Sequence, residues 1–268
     1  SSAATSRRSE MKAPGTLRRF ADLDALSRAA ADDFAAIVRD AVAARGACHV
    51  ALSGGSTPER LFKLLAAAGR EALPWDRVEL WWGDERTVAP DHKDSNYGMA
   101  KRALLDPLGI STGADAAHVH RMAGERADHD AAARDYERTL TAALGAPPVL
   151  DLVLLGMGPD GHTASLFPGT PALDEAARFV VANPVDSPVT HGATVRITLT
   201  APAINAARHV RFLIGGADKA DSLAHVLDGA REPRRFPSQL VDPTRGPSHG
   251  DLVWMIADDA ASQLGGLS

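Results

Sequence analysis

Residues 48–65 have the sequence CHVALSGGSTPERLFKLL, which predicts a strand, a turn and a helix in succession. The apolar run Cys48–Leu52 stops at a serine and two glycines, and the segment after Pro58 carries leucine and phenylalanine at helical spacing. Short apolar strands that lead through a glycine turn into a helix are the units of parallel α/β sheets. The stretch therefore predicts an α/β fold.

The same alternation continues along the chain. Further strands are predicted at 78–82, 150–155, 179–182, 194–199, 210–214 and 252–256, and further helices at 20–44, 95–105, 128–144 and 218–227, with a short helix near the C-terminus. We expect a mostly parallel central sheet with helices on both faces, in one domain over residues 16–268. A (β/α)8 barrel also fits the length, but the irregular spacing of the strands favours the open sheet. Residues 1–15 are small and polar, and we expect them to form a flexible tail.

Composition narrows the class of protein. The chain has 268 residues, 45% of them hydrophobic and 24% charged, which is typical of a folded globular protein. Lysine and arginine total 29 against 34 aspartates and glutamates, so the net charge is −5 and a general nucleic-acid binder is disfavoured. No run approaches the roughly 18 apolar residues of a membrane span, and residues 1–15 lack the apolar core of a secretory signal. We therefore expect a cytoplasmic protein without a nucleic-acid or membrane partner, and the single cysteine, Cys48, agrees with a reducing compartment.

The turn over residues 53–58 (SGGSTP) predicts an anion site. Its two glycines allow a ligand to approach the backbone, and Ser56 or Thr57 is expected to be the N-cap of the following helix. Free amides at the positive end of a helix attract anions. No Gly-Lys-Ser/Thr follows the glycines, so a nucleotide P-loop is disfavoured. A capped turn without a ligand stays open as the alternative.

A second glycine-rich loop, residues 156–161 (GMGPDG), follows the strand predicted at 150–155. It matches the dinucleotide pattern G-x-G-x-x-G by letter, but Pro168 interrupts the helix that the pattern requires, and the next strand ends without a carboxylate. Asp160 and His162 suggest different chemistry, because a histidine accepts a proton near neutral pH and a nearby carboxylate can fix its tautomer. The sequence therefore predicts a general base at His162, and a purely structural histidine is the alternative.

A third strand end carries charge. Residues 81–86 (WWGDER) place two acids and an arginine where the chain is expected to emerge beside the other two loops. A solvated turn would explain these charges equally well in isolation, but the convergence of three polar loops on one sheet edge favours a ligand site.

Several of these segments together resemble the 6-phosphogluconolactonase family. The resemblance rests on residues 53–58, 83–86 with 94–97, and 156–169 (GMGPDGHTASLFPG), and it continues through 196–200 and 215–220 to cover roughly residues 16–264. It implies an α/β fold shared with glucosamine-6-phosphate deaminase/isomerase. It also implies hydrolysis of 6-phospho-D-glucono-1,5-lactone to 6-phosphogluconate in the oxidative pentose phosphate pathway, with no metal and no other cofactor.

The resemblance also implies a role for each site residue. His162 would be the general base that activates water, with Asp160 orienting it, and Asp84 and Arg86 would face the sugar and the lactone. The 6-phosphate would be bound by the turn and by two cations: Ser53, Gly54, Gly55, Ser56, Thr57, Arg196 and Lys219. The expected partner is a small sugar-phosphate lactone, bound by a monomer or a small homo-oligomer.

Other functions are less compatible with the sequence. A serine hydrolase is disfavoured because no G-x-S-x-G occurs, and a zinc hydrolase because there is no H-E-x-x-H and because His118, His120 and His129 lack a clear metal-ligand spacing. Two alternatives stay open: an aldose–ketose isomerase/deaminase acting on glucosamine 6-phosphate, and a sugar-phosphate-sensing module without catalysis.

Overall fold

The computed structural model describes residues 12–265, apart from the side chain of Asp115, and contains two sheets. The strands are β1 Thr16–Phe20, β2 Cys48–Leu52, β3 Val78–Trp82, β4 Asp84–Arg86, β5 Leu152–Leu155, β6 Val180–Ser187, β7 Gly192–Leu199, β8 His209–Ile214 and β9 Asp251–Ala257. The helices are α1 Leu23–Arg45, α2 Ser56–Ala67, α3 Asn96–Ala100, α4 Asp106–Leu108, α5 His129–Leu144, α6 Ala201–Asn205 and α7 Ala220–Asp228.

The larger sheet has six strands in the order β1-β9-β8-β5-β2-β3, and every neighbouring pair in it is parallel. The chain leaves β2 toward β3 on one side, whereas β5, β8, β9 and β1 lie on the other side. The order therefore reverses between β2 and β5, which makes their carboxyl ends the topological switch point of the sheet, where open α/β folds bind ligands. The predicted mostly parallel sheet surrounded by helices is confirmed.

The smaller sheet was not expected. It has the order β4-β7-β6 and is antiparallel, with Asp84 opposite Thr198 and Arg86 opposite Arg196. Two strands predicted for the central sheet, at 179–182 and 194–199, belong to this second sheet. The third strand, β4, is Asp-Glu-Arg and has no apolar residue, so it carries none of the patterning by which a strand is predicted.

Most predicted elements end within three residues of their observed limits, but the strand predicted at 179–182 continues to Ser187 as β6, and the predictions fail at the two termini. Helix α1 begins after Asp22, whose side chain accepts a hydrogen bond from Ala25 N, and it ends at Gly46 with φ of 81°. The edge strand β1 was missed, because its residues are mostly exposed and pair with β9 alone. The predicted short C-terminal helix is wrong: residues 258–265 form isolated turns, in which Ala261 N donates to Ala257 O and Leu264 N to Ala261 O.

Part of the predicted N-terminal tail is described. Lys12 N and Ala13 N both donate to Leu227 O, and Trp254 Nε1 donates to Pro14 O. Residues 1–11 lie outside the described residues, so flexibility of the tail stays a prediction. Among the helices of residues 12–265, none combines the length and the apolar character needed to cross a membrane.

Tyr136 of α5 holds the end of β3 in place. Its hydroxyl accepts a hydrogen bond from Trp82 N at 2.8 Å and donates to Trp82 O at 3.2 Å, and burial raises its pKa. Trp82 is fully buried and stands two residues before Asp84. The tyrosine therefore satisfies a buried backbone amide at the point where the chain passes from the large sheet to the small one.

Tyr136→Phe is expected to lower the free energy of unfolding by about 1–3 kcal/mol, because the amide of Trp82 would be buried without an acceptor. Urea denaturation monitored by tryptophan fluorescence measures the loss. Tyr97→Phe is the matched control, since the Tyr97 hydroxyl has no hydrogen bond to residues 12–265. Equal stabilities of the two variants would contradict the assigned role of the Tyr136 hydroxyl.

Candidate active site

A cleft of about 240 Å³ lies at the switch point of the large sheet. The segments after β2, β3, β5 and β8 form it together with β7 and the β6–β7 turn. The lining residues are Ser53, Gly54, Gly55, Ser56, Thr57, Pro58, Asp84, Arg86, Asn96, Gly156, Met157, Gly158, His162, Ala164, Ser165, Phe167, Val189, Thr190, Arg196, Leu213 and Lys219. Every residue predicted for the site is in this lining except Asp160, which lies beside His162.

The turn before α2 leaves the first amides of the helix available. Gly55 is the N-cap, with φ of 102°, so the expectation that Ser56 or Thr57 caps the helix is wrong. A glycine can adopt this positive φ, and it has no side chain to bond to the first amides. Gly54 is required for a different reason: a Cβ there would lie 1.9 Å from Asn96 Oδ1. The result is an uncapped helix N-terminus that opens on the cleft, as an anion site requires.

His162 and Asp160 form a hydrogen-bonded pair. His162 Nδ1 lies 2.5 Å from Asp160 Oδ1, and the same oxygen accepts from His162 N at 3.2 Å. Burial alone would raise the pKa of Asp160, but the hydrogen bonds and the charge of His162 outweigh burial, so the pKa is lowered. The ionised carboxylate places the imidazole proton on Nδ1. Nε2, which has no partner in residues 12–265, is then the basic nitrogen.

The loop that carries His162 is supported on its outer side by the segment between α7 and β9. Gly161 has φ of 78°, and its carbonyl accepts hydrogen bonds from Ser238 Oγ at 2.8 Å and from Ser238 N at 3.0 Å. Within the loop, Gly158 N donates to His162 O at 2.9 Å and Thr163 Oγ1 to Gly156 O at 2.8 Å. Ser238 is fully buried, so its two hydrogen bonds to Gly161 are shielded from water.

Asp84 is held by residues from two other segments. Ser165 Oγ donates to its Oδ2 at 2.6 Å, and Asn96 Nδ2 lies 3.2 Å from its Oδ1 and 2.9 Å from its backbone oxygen. Neither Asn96 nor Ser165 was predicted as a site residue. Asn96 also packs against Gly54 of the turn over residues 53–58, called the anion loop below. One amide side chain therefore touches both the anion loop and Asp84. These contacts join three of the loops that form the cleft.

The neighbouring acid, Glu85, has a structural role. Its carboxylate accepts hydrogen bonds from Ser95 Oγ, Asn96 N and Tyr97 N at 2.7–3.0 Å, and it is 2% exposed. Burial raises its pKa, against the lowering effect of these amides. Successive side chains of a strand point to opposite faces, so β4 directs Asp84 and Arg86 to the cleft and Glu85 to the start of α3.

Three cations line the cleft. Arg86 and Arg196 face each other across the β4–β7 pair, and Arg86 Nη1 donates to Asp94 O. Burial, and then the nearby charge of Arg86, lower the pKa of Arg196, whose buried Nε has no partner among residues 12–265. Lys219 donates to Gly215 O at 3.0 Å and lies 3.7 Å from Asp218. An anion in the cleft would stabilise these charges.

The remaining histidines do not form a metal centre. His118 Nδ1 and His120 Nε2 lie 2.7 and 2.6 Å from the two oxygens of Glu79, and the ring of His120 stacks on Trp81. Within residues 12–265, no group of three or more His, Cys, Asp or Glu side chains is arranged to hold a metal ion.

Fold and cleft together define an α/β protein whose switch point brings an uncapped helix N-terminus and three cations next to a histidine–carboxylate pair. Residues 21–254 match the family model described as glucosamine-6-phosphate isomerases/6-phosphogluconolactonase, and the chain belongs to this family. The resemblance seen in the sequence is thereby confirmed.

Individual proteins similar to this chain include 6-phosphogluconolactonases. The chain is 39% identical over 231 residues to a 6-phosphogluconolactonase of a Synechocystis strain, covering 85% of this chain and 89% of the relative. It is 40% identical over 257 residues to a 6-phosphogluconolactonase of Mycobacterium tuberculosis, covering 91% and 96%. A solved 6-phosphogluconolactonase from Trypanosoma cruzi superimposes with a TM-score of 0.80 at 28% identity, covering 96% of this chain and 99% of that one.

Gly158→Ala is expected to abolish most activity in the cleft while the protein stays folded. A Cβ at this position would lie 2.1 Å from His162 Nδ1 and Cε1 and 2.8 Å from Asp160 Oδ1, so the histidine–aspartate pair would have to move apart. A displacement of this size is expected to cost on the order of 10²-fold in kcat.

Gly83→Ala in the neighbouring loop is the matched control, because its nearest new contact would be Leu52 O at an ordinary 3.6 Å. Steady-state kinetics and circular dichroism on both variants make the comparison. Full activity of Gly158→Ala would show that the close approach of the glycine to His162 is not needed.

Proposed function

We propose that this chain hydrolyses 6-phospho-D-glucono-1,5-lactone to 6-phospho-D-gluconate, a step of the oxidative pentose phosphate pathway. The observation that carries the proposal is the presence of the His162–Asp160 pair in the same cleft as the uncapped N-terminus of α2 and three cations. The names of the Synechocystis and M. tuberculosis relatives support the choice of lactone hydrolysis within the family.

The phosphate of the substrate binds at the anion loop. A phosphate monoester carries between −1.5 and −2 charges at pH 7, and it is matched by the amides of residues 55–57, the hydroxyls of Ser56 and Thr57, and Lys219. Arg196 adds a guanidinium whose buried Nε is without a partner in the described part of the chain. Binding at this remote group orients the lactone carbonyl relative to His162.

His162 then acts as the general base. Nε2 takes a proton from a water molecule as the water oxygen bonds to C1, and Asp160 stabilises the imidazolium that forms. The tetrahedral oxyanion collapses with cleavage of the C1–O5 ring bond, and the leaving oxygen receives the proton from His162. The product is the carboxylic acid, which ionises in water. A strained cyclic ester needs no covalent nucleophile for these steps.

Asp84 and Arg86 act on the sugar and lactone end. Arg86 places a positive charge where the oxyanion develops, and one such donor contributes about 10²–10³-fold in kcat. Asp84 is kept in position by Ser165 and Asn96, and it accepts hydrogen bonds from sugar hydroxyls. The carboxylate therefore contributes to selection of the sugar as well as to its orientation.

We further propose that the protein works in the cytoplasm as a monomer or small homo-oligomer. Its one cysteine is fully buried, and burial raises the pKa of the Cys48 thiol to about 12, so it is inert to disulfide exchange. Light scattering after size-exclusion chromatography measures the assembly against the chain mass of 28.1 kDa.

His162→Asn is expected to lower kcat by about 10²-fold or more, because the water would lose its proton acceptor. The assay uses freshly generated lactone and subtracts spontaneous hydrolysis, and glucosamine 6-phosphate is tested as an alternative substrate. Affinity for 6-phosphogluconate should be unchanged, and His129→Asn, outside the cleft, should behave as wild type. An unchanged kcat would remove His162 from the role of base, and release of ammonia from glucosamine 6-phosphate would instead indicate a deaminase.

Lys219→Met is expected to raise KM by roughly tenfold or more and to leave kcat near normal, since it removes one charge-assisted hydrogen bond to the phosphate. The preference for phosphorylated over unphosphorylated gluconolactone should shrink in parallel. Lys63→Met, on the exposed face of α2, controls for the loss of a lysine. If Lys219→Met kept the wild-type preference, the phosphate would have to bind elsewhere.

A further inference from the structure

Phe167 covers one face of the histidine ring. The two ring centroids lie 4.1 Å apart with an interplanar angle of 19°, so the rings are stacked. Phe167 is 4% exposed, and it belongs to the cleft lining. In the sequence, Phe167 lies within the motif of residues 156–169, which assigns it no role.

The other sides of the imidazole are also constrained. Asp160 holds Nδ1, and Gly158 approaches the Nδ1–Cε1 edge so closely that no Cβ fits. A hydrogen bond at one nitrogen fixes a single atom of the ring and allows the ring plane to tilt about that atom. A phenyl ring stacked on the imidazole opposes such a tilt.

The backbone of Phe167 is held by hydrogen bonds from a buried threonine. Its carbonyl accepts hydrogen bonds from Thr170 Oγ1 at 2.8 Å and from Thr170 N at 3.2 Å. Asn183 Nδ2 in turn donates to Thr170 Oγ1 at 3.0 Å. Thr170 and Asn183 are buried, so these hydrogen bonds connect the backbone of Phe167 to β6 of the small sheet.

We propose that Phe167 is a positioning residue for His162: its ring sets the plane of the imidazole and stabilises the imidazolium that forms when water is deprotonated. The inference rests on the proposed function, because it assigns to Phe167 an effect on the same proton transfer. The electron-rich face of a phenyl ring attracts a cation within about 6 Å, and a protonated histidine is such a cation.

The charged groups around His162 are Asp160 on its own loop and, lining the same cleft, Asp84 and Arg86 of β4, Arg196 of β7 and Lys219 before α7. Substitution of Phe167 changes none of these charges. A shift in the titration of His162 upon substitution would therefore report the loss of the phenyl ring.

Three variants test the proposal: Phe167→Leu, Phe167→Tyr and, as a control for loss of a buried phenyl ring, Phe62→Leu in the core. Phe167→Leu should lower kcat by about tenfold or more with KM changed less than threefold, and the acid limb of its kcat/KM profile should move to lower pH. Phe167→Tyr, which keeps the aromatic face, should recover most of the rate. Phe62→Leu should lower the melting temperature without moving the pH profile.

A second measurement does not depend on turnover. The Cε1 proton of His162, followed by NMR across pH without substrate, should titrate at lower pH in Phe167→Leu than in the wild type. Wild-type kinetics and titration in Phe167→Leu, or the same losses in Phe62→Leu, would overturn the proposal. If the wild type did not hydrolyse the lactone, the proposed function would fail, while the titration would still decide whether Phe167 acts on His162.

Discussion

The cleft depends on one buried carboxylate and the hydrogen bonds that satisfy it. Asp84 is 7% exposed, and a charge at such a position is stable only when polar partners surround it. Ser165 and Asn96 supply those partners from the loop of the base and from the start of α3, and Asn96 also packs on the anion loop. Contacts around one carboxylate therefore connect the loop of the proton acceptor with the anion site.

Much of the fold could be predicted because its strands are apolar and bounded by turns. Strands β2 and β3 have the predicted limits, since each is a buried run that ends at a glycine or serine. Strand β4 could not be predicted, because Asp-Glu-Arg becomes a strand only through its pairing with β7. Strand β1 was missed for a related reason. It pairs with β9 alone and is mostly exposed, so its sequence shows little alternation of apolar and polar residues.

The site could be predicted loop by loop but not contact by contact. Local sequence indicated the glycine turn, the histidine and the acid two positions before it, because their chemistry is visible without a fold. Asn96 and Ser165 touch Asp84 from 12 and 81 residues away along the chain, so no spacing rule connects them. The N-cap at Gly55 was missed for a local reason, because side-chain preference favoured the adjacent hydroxyl residues over a backbone that turns with positive φ.

The residues proposed to bind the ligand belong to two sheets, each with its own ladder of hydrogen bonds. The anion loop, Lys219 and His162 follow strands of the parallel sheet, whereas Arg86 and Arg196 belong to the antiparallel one. A change of length or composition in the β6–β7 hairpin can thus remodel one wall of the cleft without shifting the register of the strands behind the imidazole. Such an architecture lets the turn of the hairpin vary with the molecule that is recognised, while Asn183, in the strand that leads to it, stays constrained by its hydrogen bond to Thr170.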